Sequence, residues 1–196
     1  MRDNVSRIII NEHITLDNVI QSPGDKNEDV TGEFKYGGWI AKYSDTEING
    51  FIRKRMDMDS DFLLGRKTFE LWENYWPNNY EVWPQINNAR KYVVSRNRSD
   101  SKWQNSIFIS KDIILAIKEL KINNKKDLVV WGSSVLVEEL INNGLVDELI
   151  LIRYPIILGC GKRIFSSKNV KSIFKPLNSI MTKSGTICTT YTRVLD

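Results

Sequence analysis

Three short stretches of this 196-residue chain gather glycine, hydroxyl and cationic side chains at the ends of apolar runs. Gly65-Arg66-Lys67-Thr68 follows Asp61-Phe62-Leu63-Leu64, Ser95-Arg96 follows Lys91-Tyr92-Val93-Val94, and Gly132-Ser133-Ser134 follows Leu128-Val129-Val130-Trp131. Glycine lets a ligand or another backbone come close. Ser133 or Ser134 can cap a helix. A helix start offers unpaired N–H groups and a positive dipole end to a phosphate. Arg66 and Lys67 at such a start oppose the dipole, a cost that an anionic ligand relieves. A single adenine dinucleotide phosphate engaging all three stretches accounts for these residue types. Its pyrophosphate would sit on the helix starts and its ribose phosphate on guanidinium and ammonium groups. The competing reading is capped helices and solvated cations that hold nothing.

The rest of the inventory excludes more than it adds. His13 is the one histidine, which rules out a His-rich zinc site and reads as a packing or loop residue. Cys160 and Cys188 are the only cysteines, too few for a disulfide framework and in keeping with a reducing, cytoplasmic setting. No apolar run is long enough to span a membrane, and no signal-peptide pattern opens the chain. The net charge of +4 is carried by scattered cations with acids between them, not by a basic run of the nucleic-acid type. No metal-ligand cluster or kinase-type phosphate loop competes, so a hydride carrier is left to supply the chemistry.

The elements that must position these groups follow from periodicity. Arg7–Glu12, 61–64, 91–94, 107–109 and 128–131 read as strands. Leu149–Leu158 reads as a long strand interrupted by Pro155. Ile48, Phe51, Ile52 and Met56 mark one face of a helix that starts near Asp45 or Thr46. Phe69, Leu71, Trp72 and Tyr75 mark a second. Ser110 caps a third, with Ile113, Ile114, Ile117 and Leu120 on one face. Val135, Leu136, Leu140 and Ile141 mark a fourth, closed by Gly144. Residues 22–39 form a long polar loop that is either a lid hinged at Gly37-Gly38 or a surface insertion. Ile173–Leu177 and Thr186–Val194 read as a closing antiparallel hairpin. The 41% hydrophobic composition suits one domain over residues 1–196. The expected fold class is α/β: a mainly parallel central sheet, helices on both faces and a C-terminal antiparallel hairpin.

Gly65-Arg66-Lys67-Thr68-Phe69-Glu70 resembles the cofactor motif of dihydrofolate reductases. Trp131-Gly132-Ser133, Gly144-Leu145-Val146-Asp147-Glu148-Leu149, Pro155, Gly159, Gly161 and Phe165 resemble a related branch. That branch is the reductase domain of riboflavin-biosynthesis deaminase–reductases and its stand-alone homologues. Thr15-Leu16-Asp17-Asn18 resembles its Ser-Leu-Asp-Gly loop, with Asn18 where the pattern has glycine. The resemblance implies a dihydrofolate reductase-like fold and NADPH. Arg66, Lys67, Thr68, Ser95 and Arg96 would hold the adenosine side, Gly132, Ser133, Ser134 and Val135 the pyrophosphate, and Gly65 belongs to the same cofactor-binding set. Asp17 is the first candidate for the catalytic carboxylate because that branch turns it toward the substrate. Glu47 is the second, because dihydrofolate reductases carry an acid at the start of the preceding helix. Trp39 and Phe51 would line the pocket over a flat ring. The deaminase signature is absent. The resulting expectation is an NADPH-dependent reductase of a pyrimidine- or pterin-like molecule, most like 5-amino-6-(5-phosphoribosylamino)uracil reductase. Dihydrofolate reductase activity is the alternative within that class, and a non-catalytic nucleotide-binding protein the alternative outside it. The tryptophan-rich segment and terminal strands suggest a homodimer.

Overall fold

The computed structural model describes residues 5–165 and 170–194. Its strands are β1 (Ile8–Ile14), β2 (Ser60–Gly65), β3 (Lys91–Val94), β4 (Ser106–Ile109), β5 (Asp127–Trp131), β6 (Glu148–Arg153), β7 (Ile173–Met181) and β8 (Ile187–Val194). The helices are α1 (Thr46–Met56), α2 (Arg66–Tyr75), α3 (Gln85–Asn88), α4 (Ile113–Asn123) and α5 (Ser134–Asn142). The strands form one sheet in the order β4-β3-β2-β5-β1-β6-β8-β7. All neighbours are parallel except β6–β8 and β7–β8, which make the antiparallel edge expected from the alternating C-terminal sequence.

Alternation along the central strands splits the apolar side chains between two cores. Ile9, Phe62, Leu64, Val129 and Trp131 pack with α1, α2 and α3 residues such as Ile48, Phe69 and Ile86. Ile8, Ile10, Leu63, Leu128 and Val130 pack with α4 and α5 residues such as Ile117, Leu136 and Leu140. Ile8, Ile9, Ile10 and Ile14 are fully buried, each contributing about 2 kcal/mol of transfer free energy. Gly144, at φ 65, stops α5 as expected, and the Gly144 and Leu145 N–H groups return to the Ile141 and Leu140 carbonyls.

Three local expectations are corrected. β6 ends at Arg153, short of Pro155, because proline has no N–H for the ladder. Val135 is 75% exposed, and Val137 takes its place in the core. Neither Ser133 nor Ser134 caps α5, and Ser110 does not cap α4, which starts after Asp112 at φ 43. Residues 22–39, the expected lid or insertion, are tied to the body of the fold at several points, and Ser22, Gly24 and Asn27–Thr31 line the cleft at the carboxyl ends of the parallel strands. Gly38 N–H donates to the Ser22 carbonyl, Gln21 Nε2 to those of Asp29 and Thr31, and Lys162 pairs with Asp29.

Candidate active site

Parallel strands place their carboxyl ends on one side of the sheet, and open α/β sheets bind ligands there. In this chain a single cleft runs along that side. Gly65, Arg66, Lys67, Thr68, Ser95, Arg96, Gly132, Ser133, Ser134 and Val135 all line it. Two strand–turn–helix junctions are joined at its floor. Ser133 adopts φ 66, and its hydroxyl accepts a 2.9 Å bond from the Gly65 N–H and donates one of 2.9 Å to Thr68 Oγ1. A Cβ on Gly65 would meet the Ser133 side chain at 3.4 Å, an ordinary van der Waals contact. Gly132 at φ 60 makes the turn.

The helices that open on this cleft share one property. α2, α4 and α5 all start without a side-chain cap, and residues 66–68, 112–115 and 134–136 of their first turns line the cleft. Their first N–H groups therefore lack an internal partner. α1 opens elsewhere and is capped: Asp45 accepts a 2.8 Å bond from the Ile48 N–H. Among the cations, Arg66 is drawn back to Glu70 at 2.7 Å, while Lys67 and Arg96 are exposed and unpaired among the described residues. Ser95 Oγ holds the turn after β3 by accepting from the Arg98 N–H at 2.9 Å.

Beyond the Gly132 turn the cleft becomes aromatic. Trp72, Trp76, Trp83 and Trp131 line it, with His13, Ile40, Ile52 and Met56. The indoles meet edge to face, at 5.4 Å for Trp72–Trp83 and 5.2 Å for Trp76–Trp83. Trp131 Nε1 is buried without a hydrogen-bond partner. His13 Nδ1 lies 2.9 Å from the Tyr154 hydroxyl, and burial lowers its pKa to about 4, so the ring is neutral at pH 7.

The other sequence-chosen residues fall outside the cleft lining. Asp17 Oδ2 accepts from the Gly159 N–H at 2.9 Å, Oδ1 accepts from the Thr15 hydroxyl at 2.6 Å, and Arg163 pairs with it. Burial raises its pKa, but the Thr15, Gly159 and Leu158 hydrogen bonds outweigh that and hold it below the usual range. It fastens the 157–163 loop. The Asn18 that follows takes φ 64, a region that asparagine tolerates, which keeps the turn where glycine was expected. Glu47 Oε2 accepts from the Lys183 N–H and Asp45 Oδ2 from the Ser184 N–H, both at 2.8 Å, so these acids fix the β7–β8 turn. Trp39 is 5% exposed, donates to the Gln21 carbonyl and packs on Tyr154. Phe51 packs on the core beneath Arg55. Ile40 and Ile52, one residue beyond each, reach the cleft instead.

Sequence reasoning missed Glu12. It lines the cleft, is 3% exposed, and its Oε1 has no hydrogen-bond partner. Burial first, and then the charge of Glu28, push its pKa well above the ordinary 4.5. The signal was the polar Asn11-Glu12-His13 triplet interrupting an isoleucine strand.

A sequence profile of the RibD C-terminal domain matches residues 6–192. The uncharacterised protein YyaP of Bacillus subtilis (strain 168) is 32% identical over 191 residues, covering 94% of each chain. Among solved structures, a protein from Shewanella sp. PV-4 assigned to riboflavin biosynthesis superposes with a TM-score of 0.74 at 20% identity, covering 96% of this chain and 99% of that one. Dihydrofolate reductase from Enterococcus faecalis, complexed with NADP(H), superposes with a TM-score of 0.58 at 15% identity, covering 95% and 96%. At these identities the structural likenesses establish the dihydrofolate reductase-like fold.

Proposed function

Because the chain belongs to the RibD C-terminal domain family, we propose that it is a reductase of the riboflavin-pathway kind, using NADPH to reduce a flat pyrimidine- or pterin-like molecule. The observation that carries this reading is the convergence of three uncapped helix starts and two unpaired cations, Lys67 and Arg96, on one cleft with an aromatic far end. Uncapped N–H groups and a positive dipole end suit a pyrophosphate, here on Gly132, Ser133, Ser134 and Val135. Lys67, Thr68, Ser95 and Arg96, with Arg66 shared between Glu70 and the ligand, suit the adenosine side and its extra phosphate. A reduced nicotinamide, when bound, supplies a hydride. The protein's own part is to present Trp83, Trp131 and His13 as a wall against which a flat ring lies, and to keep water from it.

One observation favours a pyrimidine-like substrate of this class over dihydrofolate. α1 turns Ile52 and Met56 to the cleft, not a carboxylate, and its acids Asp45 and Glu47 are spent on the β7–β8 turn. The test is titration of the purified chain with NADPH and NADH, followed by nicotinamide fluorescence. NADPH binds more tightly, and K67A/R96A lowers that preference by about ten-fold or more, the value of one to two charge-assisted hydrogen bonds. An unchanged preference overturns the phosphate assignment. NADPH that binds but is never oxidised in the presence of aminopyrimidines and dihydropterins supports the non-catalytic alternative.

A further inference from the structure

Glu12 lies where the two halves of the cleft meet. On one side of β1, Asn11 pairs with Trp131, the last residue of β5; the next is Gly132, where the chain leaves the sheet. On the other side Glu12 still pairs with Leu151 of β6. β1 and β5 thus part at Glu12. A ring reaching from a pyrophosphate on residues 132–135 toward Trp131 and His13 passes this gap. Side chains alternate along a strand. Ile8, Ile10 and Ile14 join the core beneath α4 and α5, so Glu12 points to the α5 face, the side on which the pyrophosphate turn begins. His13 points to the opposite, aromatic face.

We propose that Glu12 positions the nicotinamide ring by pairing its carboxyl with the ring's carboxamide through two hydrogen bonds. This rests on the cofactor reading above. A buried carboxyl with no ion partner is held in its neutral form, and the like charge of Glu28 acts in the same direction. A neutral carboxyl carries one O–H donor and one C=O acceptor in a plane. A primary carboxamide carries the complementary C=O and N–H. An ionised carboxylate would offer acceptors only and would face the carboxamide oxygen without a donor. Oε1, buried and unpartnered, is the group that such a ligand would satisfy. The pairing would fix the orientation of the ring at the gap between β1 and β5.

The test uses the full chain and two ligands: NADPH, and adenosine 2′,5′-bisphosphate, which lacks the nicotinamide. Glu12→Leu weakens NADPH by about ten-fold or more, the loss of a two-point hydrogen bond, and leaves the bisphosphate within about two-fold. Glu12→Gln keeps a donor and an acceptor and holds NADPH to within about three-fold of wild type. The 3-acetylpyridine analogue, a methyl ketone in place of the amide, binds wild type more weakly than NADPH does, and Glu12→Leu no longer distinguishes the two. Equal weakening of NADPH and the bisphosphate, or no weakening of either, overturns the assignment while leaving the cofactor reading intact. Wild type that binds neither ligand overturns both. Melting temperatures of the variants at or above that of wild type show that folding is not the cause.

Discussion

A buried acid without a partner and a buried histidine leave opposite marks on stability. Glu12 holds its proton more tightly folded than unfolded. Below about pH 4.5 both states are protonated and nothing is lost; as pH rises past that value the unfolded chain ionises first, and stability falls until the folded carboxyl ionises too. Glu12→Gln removes this loss. Its melting temperature therefore exceeds that of wild type above about pH 4.5, and the gap closes below it; a gap that is constant with pH would contradict the assignment. His13 has the reverse sign. Its folded pKa of about 4 lies under the ordinary 6.5, so its contribution is whole above pH 6.5 and is lost as pH falls toward 4. His13→Phe flattens the stability profile across that window in denaturant titrations. Each residue costs the resting protein something, a pattern seen where function, not packing, fixes the side chain.

At the level of elements, ligand binding and helix ends are one subject. α2, α4 and α5 keep unpartnered N–H groups that a side-chain cap would have satisfied at about 1 kcal/mol each. Saturating NADPH is expected to raise the melting temperature, by about 2.7 kcal/mol of linkage at a hundred-fold excess over Kd. Ser133→Ala should cost about 1–2 kcal/mol, because it removes the acceptor of the Gly65 N–H and the donor to Thr68, and should weaken NADPH as well; chemical denaturation and titration check the two effects. These elements also show what was legible beforehand. Apolar alternation and the glycines at strand ends are local, and from them the strands, the helices α1, α2, α4 and α5 and the ten cleft residues could be read, but not the four-residue α3. Contacts across the fold could not. Ser133 finds its partners 65 and 68 residues away, and Asp17 and Glu47 find theirs 142 and 136 residues away. A carboxylate that looks free in the sequence can therefore be fully engaged. Glu12 looked ordinary because the missing partner of Oε1 is visible only when every neighbour is in place.

For the molecule as a whole, the sheet has two unlike edges. β4 is short. β7 is nine residues long and exposes Ile173, Leu177, Ile180 and Met181. Pro176, beside a register shift, is the one built-in interruption. Such an edge invites another strand, and a two-fold pair of β7 strands is the arrangement that would give the homodimer anticipated from the sequence. Light scattering after size exclusion is expected to report a dimer, and Leu177→Lys with Met181→Lys to convert it to a monomer. NADPH binding should survive that change, since β7 lies three strand positions from β1. A wild-type monomer would remove β7 pairing from consideration.

The Ser133 hydroxyl serves two turns at once. That one side chain therefore ties two cleft-facing helix starts together, whereas on the proposed reading the choice between cofactors would rest on Arg66, Lys67 and Arg96. Grip and preference are written in different atoms. An engineer can rewrite the second, toward a dinucleotide without the extra phosphate, and leave the first as it stands.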